Sequence, residues 1–198
     1  MRVFGIDPGS ERTGYGCVET DGRRHRLVMC GAISTAGASC FAARLGVIHR
    51  RLADLLRECA PGVVVIENLF YATNVRSALK LGHARGVAML AAVEAGVEVV
   101  EYTPTEIKRA VVGYGRAEKA QVQQMIKLLL GLSAIPEPHD AADALAVALC
   151  HVHKIPGAVA ATRVAGVAST TANSWRTYRP AEPAAARRVP ARAGARRP

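Results

Sequence analysis

The chain has 198 residues, half of them apolar, with 26 Lys and Arg against 16 Asp and Glu, a formal net charge of +10 and a pI near 9.9. That length buries one sizeable core and excludes a comfortable second domain, while the charge favours a polyanion, either nucleic acid or an anionic membrane surface, as partner. No run of roughly 20 apolar residues is present to span a bilayer, and the start MRVFGID lacks the apolar segment of a signal peptide, so a cytoplasmic protein without a membrane partner is expected.

The segment from Arg2 to Asp7, RVFGID, has the composition of a short strand, and the turn-rich PGSERTG after it predicts a chain reversal. Strands are predicted at Tyr15 to Glu19 and Arg26 to Ile33 around the turn signal Asp21-Gly22, making the first three strands an antiparallel meander. From Phe41 the period changes. Phe41, Leu45, Ile48, Leu52 and Leu55 recur at helical spacing with Arg44, Arg51, Asp54 and Arg57 between them, the pattern of an amphipathic helix closed by Pro61-Gly62.

VVVIE, from Val63 to Glu67, is β-branched and uniformly apolar up to its carboxylate, as a buried strand is. A helix is predicted from about Asn74 to Ala95, a strand from Val97 to Tyr102, a helix from about Ala117 to Leu130, and a last helix from His139 to about His153. Strands first, then strands alternating with helices, imply an α/β fold with a mixed sheet covered by helices. The expected domain is residues 1–156. Residues 157–198 carry eight Arg against Glu182 alone, without apolar periodicity, and are expected to form a disordered basic tail; the remainder, with 18 basic and 15 acidic residues, is near +3. The five scattered cysteines show no CxxC pairing and are read as small buried hydrophobes.

Asp7 and Glu67 each end an apolar strand. If the two strands are parallel neighbours, both side chains emerge at one sheet edge, where α/β sheets place their ligands. Asp140 and Asp143, three apart, share a face of the last helix's first turn. Negative residues near a helix start are also favoured by the macrodipole, so that pair has a purely structural reading as well. Together the four carboxylates would repel one another unless cations joined them. Carboxylates without matching His or Cys ligands suit hard ions, Mg²⁺ or Mn²⁺, and two ions about 4 Å apart would support in-line hydrolysis of a phosphodiester.

Five segments in order, GIDPGSERTGYG, VVVIENLFYATN, SALKLGHARG, AVVGYGRAEKAQVQ and HDAADALAVALCH, resemble the RuvC Holliday-junction resolvases over residues 1 to about 154. The resemblance implies an RNase H-like fold, a mixed five-stranded sheet with helices on both faces. It implies a homodimer that resolves four-way DNA junctions in recombination and repair by paired symmetric nicks, leaving 5′-phosphate and 3′-hydroxyl ends, with RuvA and RuvB as branch-migration partners. Asp7, Glu67, Asp140 and Asp143 match the family's ligands for two Mg²⁺ ions; some members have a histidine among the last two, which makes His139 an alternative to Asp140. Phe70 matches an aromatic placed against bases, and Lys108 and Lys119 match lysines near the scissile strand. In the helix bearing Ala78, Gly82 and Gly86, those residues serve either packing on the sheet or, as the resemblance implies, dimerisation, while Lys80 and Arg85 of the same helix are candidates to meet DNA. An actin-like ATPase would need a second phosphate-binding lobe for which the chain has no sequence. A non-catalytic DNA-binding module leaves the carboxylates unexplained, and an exonuclease or transposase-like enzyme shares the metal chemistry but not the later segments.

Overall fold

A computed structural model describes residues 1–68 and 74–155. The strands are β1 (Arg2–Asp7), β2 (Arg12–Thr20), β3 (His25–Ser34), β4 (Val63–Glu67) and β5 (Glu98–Tyr102), and the helices α1 (Phe41–Cys59), α2 (Val75–Glu94), α3 (Pro104–Val112), α4 (Lys119–Leu129) and α5 (His139–Lys154). They form one mixed sheet in the order β3-β2-β1-β4-β5. β1 to β3 are the expected antiparallel meander, while β4 and β5 run parallel to β1.

Alternation along the central strands builds two cores. Val3, Val63 and Val65 face α3, α4 and α5, whereas Phe4, Ile6, Val64 and Ile66 face α1 and α2. Because both faces are covered, β1 and β4 are apolar at nearly every position, as a strand buried on both sides requires. The expected α/β architecture, a five-stranded mixed sheet with helices on both faces, is therefore observed.

The structure adds α3 to the predicted helices. Its start is written in Thr103-Pro104-Thr105-Glu106. The Thr103 hydroxyl accepts from the Glu106 amide, the Glu106 carboxylate accepts from the Thr103 amide at 2.9 Å, and Pro104 fills the first helical position.

Helix α5 carries HDAADALAVALCHVHK and buries ten of its sixteen residues, mostly Ala, Leu and Val. Small residues on both sides let it lie against the sheet. A Cβ at Gly5 would overlap the Ala144 carbonyl oxygen, and one at Gly14 would overlap the Asp140 carbonyl oxygen. Phe70 and the basic tail after Ile155 lie outside the described residues. Among those described, no helix is long and apolar enough to cross a membrane.

Candidate active site

Asp7 closes β1 and Glu67 closes β4. Ile6 stands beside Ile66 in the parallel register, so the two carboxylates come next, side by side, at the carboxyl edge of the two central strands. Gly14 stands opposite Asp7 on the other flank, and its missing side chain admits the first turn of α5. Asp140 and Asp143 ride on that turn. Asp7, Glu67 and Asp143 line one cavity of about 240 Å³ together with Lys108 and Lys119, over an apolar floor that includes Ile107 and Val122. Asp140 borders an adjoining groove with Lys119 and His139. A larger cavity, about 590 Å³, lies near the opposite edge of the sheet beside Pro61 and Val97, and its only carboxylate among the described residues is Glu94.

The electrostatics bear on the chemistry directly. Burial first, then the charges of Asp143, Glu67 and Asp140, raise the Asp7 carboxyl from 3.8 to about 7, against the opposing pull of Lys119. Burial and Asp143 likewise raise Glu67, opposed by Lys108 and Lys119. Lys119 donates to Asp143 at 2.6 Å, and this bond holds its ammonium above the usual lysine range. The Arg12 guanidinium stands 3.9 Å from Asp140. Each α5 carboxylate is thus accompanied by a side-chain cation.

These donors are oxygens, and the negative charge of Asp143, Glu67 and Asp140, which adds to burial in raising the Asp7 carboxyl, is what a hard divalent cation would relieve. The set is open rather than closed. Among the described residues, no three His, Cys, Asp or Glu side chains stand close enough together to hold a metal as they are. The donor chemistry therefore fits Mg²⁺ or Mn²⁺ bound with water and substrate oxygens, and does not fit a closed zinc centre.

The other predicted residues divide. His139 is exposed at the start of α5, and its Nδ1 lies 3.1 Å from the Gln123 amide nitrogen, which ties the ring to α4, while Asp140 is the neighbour whose charge reaches Asp7. Lys108, on α3, and Lys119, at the start of α4, both line the carboxylate cavity. Lys80 is exposed on α2, away from this cavity. The Arg85 guanidinium pairs with Glu101 of β5, one quarter of the side chain is exposed, and its Nε is buried with no partner among the described residues, so within the chain it is engaged by the sheet. Among the described residues, a Cβ at Gly82 or Gly86 would meet nothing within 4 Å, so neither is packed closely against the sheet. Arg12 is the site neighbour that the sequence reading does not nominate. The signal for it is its position at the end of the turn after Asp7, the first base to follow that carboxylate in the chain.

The family model described as "Crossover junction endodeoxyribonuclease RuvC" matches residues 3–151. A protein of that name from Koribacter versatilis is 54% identical over 154 residues, covering 77% of this chain and 93% of the relative. Another from Trichlorobacter lovleyi is 50% identical over 180 residues, covering 91% of this chain and all of the relative. Among solved structures, Thermus thermophilus RuvC in complex with Holliday junction substrate superposes with a TM-score of 0.74 at 38% identity, covering 77% of this chain and 93% of that one. The yeast mitochondrial Holliday junction resolvase, 13% identical with a TM-score of 0.53, shares the fold. With a family model spanning three quarters of its length and relatives at half identity, the chain belongs to the RuvC family of crossover junction endodeoxyribonucleases.

Proposed function

We propose that this chain resolves four-way DNA junctions by metal-dependent phosphodiester hydrolysis, in recombination and repair, with Asp7, Glu67, Asp140 and Asp143 as the residues that hold the metal. The observation that carries the reading is the joining of two strand-end carboxylates with the first turn of α5, in a cavity that also holds two lysines. When bound, two Mg²⁺ ions would supply an activated water and stabilise the departing oxygen, leaving 5′-phosphate and 3′-hydroxyl ends. Asp7, which feels the charge of the other three carboxylates, would be the central residue of the set that holds the metal. Lys119 and Lys108 are assigned to neutralising charge that develops on the phosphate, since both line the same cavity.

Paired nicking needs two sites, and α2 supplies a surface for a homodimer. Leu79 is 60% exposed and Leu90 50% exposed, and both border a shallow groove with Ala78, Gly82 and Gly86. An apolar helix face with small residues at every fourth position accepts a second helix at close range. Phe70, just after Glu67 in sequence, is assigned to stacking on an unpaired base at the branch point, and RuvA and RuvB are the branch-migration partners. The experiment is a synthetic four-way junction and a linear duplex of the same sequence, each incubated with Mg²⁺ or with EDTA. Symmetric nicks in the junction alone, and only with Mg²⁺, are expected; equal cutting of the duplex would overturn the junction assignment.

A further inference from the structure

Arg12 begins β2 on the turn beside the site, and it is tied to the Asp140 carboxylate only loosely. The two groups are 3.9 Å apart and the Arg12 side chain is 62% exposed, a pairing that contributes little to folding. Arg12 also lies where two surface grooves meet. One groove runs past Lys119 and Asp140; the other continues past Ser34 and Thr35 to Arg44, whose guanidinium stands 3.5 Å from the exposed Glu11. Lys119, Arg12 and Arg44 therefore succeed one another along the surface that leads away from the carboxylates toward the β3 end.

We infer that Arg12, followed by Arg44, forms a phosphate track that holds the DNA backbone on the Asp140 side of the cleavage site. The inference rests on the proposed metal role of Asp140. Were Asp140 to hold a cation, its charge would be shared and its pull on the neighbouring guanidinium weakened, which would leave Arg12 to donate to phosphate. Guanidinium groups suit this task because they present several N–H donors to phosphate oxygens in a fixed plane. The hydroxyls of Ser34 and Thr35 flank the same groove; Thr35 already donates to the turn carbonyls of Ser10 and Glu11, at 3.0 and 3.2 Å, and so holds the turn that carries Arg12 in place.

The test measures affinity for a four-way junction as a function of salt, in Ca²⁺ and separately in EDTA, for the full chain. Arg12→Ala should lower affinity uniformly across junction sequences and reduce the slope of log K against log salt by about 1 in Ca²⁺. Arg12→Ala combined with Arg44→Ala should reduce it by about 2, and Arg12→Lys should restore most of the slope. In EDTA, where Asp140 retains its hold on Arg12, the effect of Arg12→Ala should be smaller. Arg57→Ala, a base near the far end of α1, should change nothing. An unchanged salt slope in Arg12→Ala, with a parent that binds and cuts the junction, overturns the track and leaves the nuclease reading standing; a parent that does neither overturns the reading beneath it.

Discussion

Replacing Asp7 with Asn should stabilise the protein while disabling its site, and the pH dependence of that gain is fixed by the electrostatics. The Asp7 carboxyl is raised from 3.8 to about 7, which corresponds to about 4 kcal/mol of differential interaction between its two protonation states. Below about pH 4 it is protonated in both folded and unfolded chains and contributes nothing. As pH rises, the unfolded chain gains by ionising Asp7 while the folded protein keeps the proton, so stability falls until about pH 7 and the loss is constant above it. The uncharged amide of the variant would carry no such penalty, although its place among the remaining carboxylates recovers only part of the difference. We expect Asp7→Asn to match the parent near pH 4 and to exceed it by about 2 to 4 kcal/mol at about pH 8, roughly 5 to 10 °C in Tm for a domain of this size. Thermal unfolding followed by circular dichroism across that range is the assay. Millimolar Mg²⁺ should raise the Tm of the parent at the higher pH and that of the variant much less. A variant no more stable than the parent at high pH, or one whose gain is the same at both ends, would refute the burial of Asp7 among the other carboxylates.

Three further outcomes follow from the packing and the sequence. Gly14→Ala places a Cβ onto the Asp140 carbonyl and should cost about 3 kcal/mol, visible as a Tm lower by roughly 10 °C; an unchanged Tm would mean that α5 does not lie against Gly14. Leu79→Asp with Leu90→Asp should leave circular dichroism intact but convert a dimer to a monomer in light scattering, and a persisting dimer would place the interface elsewhere. Ending the chain at Pro156 removes eight Arg and should weaken junction binding and flatten its salt dependence, whereas identical binding across salt would leave the tail without a role in DNA affinity.

Much of this arrangement is legible in the sequence because the signals are local. An apolar run ended by a carboxylate reads as a buried strand that opens on a site, and Asp7 and Glu67 are found that way. Their adjacency is not local: it depends on β4 pairing parallel to β1, a choice between edges of the sheet that periodicity does not determine. Asp140 and Asp143 are legible as one helix face, but their approach to Asp7 depends on Gly14 being bare opposite Asp7, which only the register reveals. α3 has a plain capping signal at Thr103 and Glu106 that is easily passed over, since its nine residues carry only two buried side chains, Ile107 and Val111. The pairing of Arg85 is not legible, because Glu101, which holds it, lies sixteen residues away on β5.

The central claim is that the four carboxylates act as one metal-dependent nuclease site on a branched substrate. Its most direct test compares the parent with Asp7→Asn and Glu67→Gln on a synthetic four-way junction in Mg²⁺, measuring binding and strand cleavage on the same samples. Paired symmetric nicks by the parent, with retained binding and no cutting by either variant, is the predicted result; a variant that cuts at the parental rate would contradict the account.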